Sequence, residues 1–125
     1  MDTIINTTPH DIVFFHVTDA DGTQGEIRRY PTDPARSVRV SSRAEDLSAV
    51  DGLPARHHVW NSPELPDPVP GVLIAVSTLV ADRIPVERRG PDILIPDSGP
   101  GSVVRDSAGS IVGVRYWTIP FPGKV

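Results

Sequence analysis

The sequence predicts a mainly β single domain, α+β only at the margin: a small curled sheet or barrel with one short helix. Three observations lead there. The chain has 125 residues, of which 14 are proline and 10 glycine. Proline lacks a backbone donor and breaks helix interiors, so long helices, bundles and coiled coils are excluded. Apolar and β-branched residues fall in short runs separated by clusters of Gly, Pro, Asp and Ser, which is how strands and turns are written. Finally, a hydrophobic content of 38% and this length suit one core and one domain over residues 1–125.

Thr3 to Asn6 is a short β-prone run ended by Thr7-Thr8-Pro9-His10, where Pro9 holds Thr8 extended and sets a turn. Ile12 to Thr18 is rich in β-branched and aromatic residues and reads as a strand. Asp19-Ala20-Asp21-Gly22 turns the chain back into a partner strand, Gly25 to Tyr30. Ser37 to Ser42 alternates, with Val38 and Val40 on one face and Arg39 on the other, and predicts another strand. Arg43 to Leu47 is expected to be a turn of helix or a loop. Val50, Asp51-Gly52-Leu53-Pro54 and Ala55 to Trp60 read as strand, turn, strand.

Residues 61–70 hold four prolines and are expected to cross the surface without regular structure. Gly71 to Ser77 is the most apolar strand and is expected at the centre of the sheet. Ser77 is placed to cap a short helix running to about Arg83, which Pro85 stops. Asp92 to Ile95 is a short strand, and residues 96–102 form a loop. Val103 to Asp106 and Ile111 to Thr118 are expected to close the fold as a hairpin around Asp106-Ser107-Ala108-Gly109. An echo links this hairpin to the first one: Asp19, Gly22, Arg28 and Tyr30 match Asp106, Gly109, Arg115 and Trp117. Shared turn chemistry or an internal duplication accounts for it.

Composition excludes several functions. Without cysteine there is no disulfide framework, thiolate metal site or cysteine nucleophile. The first residues carry no basic flank and no long apolar run, so a cytoplasmic protein is expected. A net charge of −4, evenly spread, argues against a nucleic acid polymer or an anionic membrane as partner. Eleven of the twelve basic residues are arginine, whose planar fork suits phosphate and carboxylate. His57-His58 cannot share an ion, because neighbours in a strand point to opposite faces. His16 lies within an apolar strand. No metal or other cofactor is expected.

Three segments carry polar chemistry beside rigid turns. Thr8 and His10 sit in a proline turn, where an imidazole can bond a polar ligand or act as a base. Ser77 and Thr78 place hydroxyls at a strand end. Asp97, Ser98 and Gly99 open a loop in which glycines at 99 and 101 allow close backbone approach, though it lacks the Lys-Ser/Thr ending of a phosphate-binding P-loop. Arg39 or Arg105 would supply positive charge. Arg88 to Asp92 reads as a charged turn. The expected function is non-enzymatic binding of a small polar or phosphorylated molecule. Two other classes fit: a hydrolase or lyase using His10 as base with Asp11 or Asp97 assisting, and a structural or protein-interaction module, homo-oligomers included.

Ile4-Ile5-Asn6-Thr7-Thr8-Pro9-His10 resembles the N-x-T-P-H opening of a family of small uncharacterised proteins of bacteria and their phages. The likeness extends through Val50 to Pro54, through Val76-Ser77 with Val80-Ala81, and through Pro96 to Pro100. It closes with Val104-Arg105-Asp106, Gly109 and Gly113-Val114-Arg115. The resemblance implies no fold or activity. Short stand-alone phage genes of this kind imply an accessory role, such as countering host defence by sequestering a nucleotide-type signal.

Overall fold

A computed structural model describes residues 2–123 and is mainly β. The core is a four-stranded sheet of β1 (Thr3–Asn6), β6 (Val72–Ala75), β7 (Ile93–Pro96) and β10 (Trp117–Thr118), in the order β1-β6-β7-β10. β1 and β7 flank β6 in parallel, with Thr3 opposite Val72 and Ile74 opposite Ile93. β10 runs antiparallel to β7. β6 thus takes the interior place its apolar sequence predicts. Both of its faces are covered, which is why its side chains do not alternate with polar ones.

Ile74 and Val76 point into one layer, formed with Ile93, Ile95, the helix residues Val80 and Ala81, and Ile84 beyond the helix. Ala75 points into the other, with Ile12, Phe14 and Val114. That second layer is built on a hairpin of β2 (Ile12–Phe15) and β3 (Glu26–Tyr30). Phe14, Tyr30 and Trp117 meet there with ring centroids 4.7 to 6.0 Å apart. β8 (Val104–Arg105) and β9 (Ile111–Gly113) form a small second hairpin beside it. The sheets do not close into a barrel.

Several boundaries depart from expectation. Ser37 to Ser41 is not a strand: its valines are held by packing on the first layer, and Val38 N–H donates to Thr7 O at 3.1 Å. Instead the strand β4 spans Ser42–Val50, including the residues expected as helix or loop. It pairs with β5 (Leu53–Trp60), Glu45 facing His57 and Asp46 facing Arg56. The helix-favouring residues of β4 yield to this partner, which the turn at Asp51-Gly52 delivers. Both turn residues have positive φ, 51° and 74°, as a two-residue hairpin turn requires.

The closing strand also breaks. The Ser102 hydroxyl, buried, accepts N–H bonds from Arg115 and Tyr116, each at 3.1 Å, so these donors leave the ladder. Trp117 and Thr118 then join β7 rather than β8. β2, expected to run from Ile12 to Thr18, ends early at Phe15, and the helix α1 is one turn, Thr78–Ala81. The proline-rich stretch has no regular element, yet it buries Pro63 and packs Leu65 on the core. Arg88 clamps it, donating to Pro66 O at 2.7 Å and to Asp92 in a near-buried ion pair at 2.9 Å. Among the described residues no helix is long and apolar enough to cross a membrane.

Candidate functional site

Parallel strands all end on the same side, so the loops that follow them cluster at one edge. Here the residues after β1 and after β6 meet the end of β7 across a cleft of about 470 Å³. Thr8 to Val13, Ser77, Thr78, Ile95 and Pro96 line it, and Ile111 to Val114 close the far wall. The walls are largely apolar, and among the described residues no arginine or lysine lines the cleft.

The Asn6-to-Asp11 turn is built from hydrogen bonds, not left open for a ligand. The Asn6 amide donates to His10 O and Tyr30 O, both at 2.9 Å, and its oxygen accepts Thr8 N–H at 2.9 Å. The Thr8 hydroxyl lies 2.7 Å from that same oxygen and 2.9 Å from His10 O. It is buried and internally engaged. Thr7 binds the end of β6, its N–H and hydroxyl both donating to Ala75 O. Thr32 reaches back to Thr8 O at 2.7 Å. The turn is a rigid clamp between β1, β3 and β6, and its product is the position of His10. His10 is exposed and lines the cleft.

Asp11, though beside His10, is committed elsewhere. It accepts Thr32 N–H at 2.9 Å and pairs with Arg29 at 3.0 Å. The Thr32 N–H first, then Arg29, hold its carboxyl below the usual carboxylate range. Arg29 also pairs with Glu26 at 2.8 Å, which lowers Glu26 as well. Among the described residues, no carboxylate hydrogen-bonds the His10 ring. Ser77 caps α1, accepting Val80 N–H at 3.3 Å, and keeps its own proton free to donate. Thr78 is exposed at the rim.

Of the residues singled out from sequence, Thr8, His10, Ser77 and Thr78 come together. The others do not join them. Asp97 caps its own loop, accepting Gly99 N–H at 2.8 Å. Ser98 and Arg105 line a separate depression with Arg115. Arg105 donates to Gly109 O at 2.8 Å. Arg39 lines a third, with Ser37 and Asn61. Sequence reasoning missed the wall from Ile111 to Val114. Its signal was Gly113: a Cβ there would lie 2.5 Å from Val13 O and 2.6 Å from Phe15 Cε2, so only glycine lets β9 approach β2.

A second cleft combines Phe14, Phe15, Tyr30 and Trp117 with Arg28 and Arg115. Arg115 is occupied there as a structural clamp, donating to Asp19 O, Gly101 O and Ala20 O at 2.8 to 3.2 Å. No protein-family model, curated protein or solved structure matches the chain.

Proposed function

We propose that the chain is a non-enzymatic binding protein that holds a small molecule in the cleft at the carboxyl ends of its parallel strands. The observation that carries this reading is the convergence of His10, Ser77 and Thr78 on one apolar-walled cavity fixed by the Asn6 clamp. Ligands of open α/β sheets bind at such an edge, and pockets of this kind combine apolar walls with a few polar groups. The lining favours a planar body with one hydrogen-bonding edge, such as a nucleobase. With no cation among the described residues of the wall, phosphates of a nucleotide-type ligand would lie outside the cleft. His10 without a carboxylate partner lacks the orienting group that general-base catalysis uses. Binding without turnover acts by sequestration.

The test is calorimetry and thermal shift with nucleobases, nucleosides and mono- and dinucleotides. At least one class is expected to bind, with affinity falling about tenfold in His10→Ala, the worth of one hydrogen bond. Ile111→Trp, at an exposed wall position, should abolish binding by filling the cleft. Binding that survives Ile111→Trp, or the absence of any binding, overturns the proposal. Recovery of a hydrolysed ligand would transfer His10 to the hydrolase reading.

A further inference from the structure

The hairpin of β4 and β5 stands away from the body. Every residue of β4 is exposed, and on β5 only Ala55 and Val59 are half-buried. Leu47, Val50 and Leu53 are 57 to 66% exposed. The hairpin is fastened at its base, where the Arg83 guanidinium lies 3.8 Å over the Trp60 ring. An isolated two-stranded ribbon is at best marginally stable in water, and an uncovered strand edge is a template for another strand.

Its two edges differ. Asn61 N–H donates to Ser41 O at 2.9 Å, and Ser42 stands opposite Trp60. The alternation of an antiparallel ladder then turns the N–H and C=O of Ser42, Ala44 and Asp46 away from β5, onto a free edge. Across the ribbon, Pro54 interrupts the outer row of β5, since it has no N–H to offer. β4 is the open edge.

We infer that β4 pairs antiparallel with β4 of a second copy of this chain, about a two-fold axis. Charge selects the register. Centring the axis on Arg43, Glu45 or Asp46 would set that charge against its own copy, which is unfavourable. Centring it on Ala44 sets Arg43 against Glu45 of the second copy, and the reverse, with Ser42 against Asp46. The same centre brings the outward backbone groups of 42, 44 and 46 into hydrogen-bonding pairs. Arg43 and Glu45 fall at the positions between, where facing side chains are closest. These two already pair within one chain at 3.2 Å, so the axis gathers four alternating charges. The two hairpins become one four-stranded sheet, which meets the requirement a lone ribbon fails.

The chain has no cysteine, so Ala44→Cys is a clean probe. Facing hydrogen-bonded residues have Cα atoms about 5.5 Å apart, within reach of a disulfide. Mild oxidation should give a covalent species at twice 13.5 kDa, whereas Ser48→Cys should not. In sedimentation equilibrium the wild type should be dimeric. Ala44→Pro should be monomeric with unchanged circular dichroism, because the hairpin does not use that N–H. Glu45→Arg should also be monomeric, and Arg43→Glu combined with Glu45→Arg should restore the dimer. A monomeric wild type, or a dimer that persists in both Ala44→Pro and Glu45→Arg, overturns the inference.

Discussion

Asn6 uses both its amide donors and its oxygen inside the protein, which turns a conspicuous polar motif into scaffold. Residue types alone advertise Thr7, Thr8 and His10 equally. What separates them is which acceptors the fold brings within reach: Ala75 O of β6 for Thr7, and Asn6 Oδ1 and His10 O, placed by the shape of the turn, for Thr8. So His10 was legible as a candidate, while the prior commitment of the Thr8 hydroxyl was not. Gly113 is the converse case, a residue with no polar chemistry that shapes the cleft by what it lacks. Gly113→Ala must displace Val13 O or the Phe15 ring. It is expected to cost about 3 kcal/mol, the upper range for overpacking, and denaturant unfolding would measure it.

At the scale of elements, strands with strong β composition were readable: β1, β2, β6 and β7 lie where their apolar runs fall, and β3 follows the Asp19–Gly22 turn. β4 was not, because Arg43, Ala44, Glu45 and Leu47 have no intrinsic preference for a strand and take it from β5. The alternation of Val38 and Val40 misled for a related reason: two valines on one face satisfy a core without any ladder. Tertiary clamps were likewise hidden. Arg88 and Asp92 read as a solvated charged turn, yet their side chains are only 14% exposed and fix the proline-rich crossing through Pro66. Arg88→Ala should therefore destabilise by about 3 kcal/mol, as expected when one member of a buried pair is removed. Thermal or denaturant melts would show it. A fall of a few tenths would mean the crossing is held by Pro63 and Leu65 alone.

For the whole molecule, the charged groups make a statement about acid. Asp11, Asp21 and Glu26 all titrate below their ordinary values, held by the Thr32 N–H and Arg29, by Thr23, and by Arg29 respectively. Groups with lowered folded-state values add stability that is complete above about pH 5 and is lost as pH falls through those values. All three are solvent-exposed, so the loss should be gradual. Melting temperature is expected to stay flat from neutrality to about pH 5 and then decline. Arg29→Gln should flatten that decline, since it removes the partner shared by Asp11 and Glu26.

The parallel pairing of β1 with β6 has a further consequence, for the order in which the chain assembles. Thr3 faces Val72, so β1 pairs with a strand made 69 residues after it. Until then Ile4 and Ile5 have no ladder, and the Asn6 clamp, which also needs Tyr30, cannot complete. The hairpins β2–β3 and β4–β5 close on local contacts and form early, whereas closing the long loop from β1 to β6 comes late and slowly. The cleft is thus the last part of the molecule to form, and no fragment that stops before β9, whose residues wall it, contains it whole.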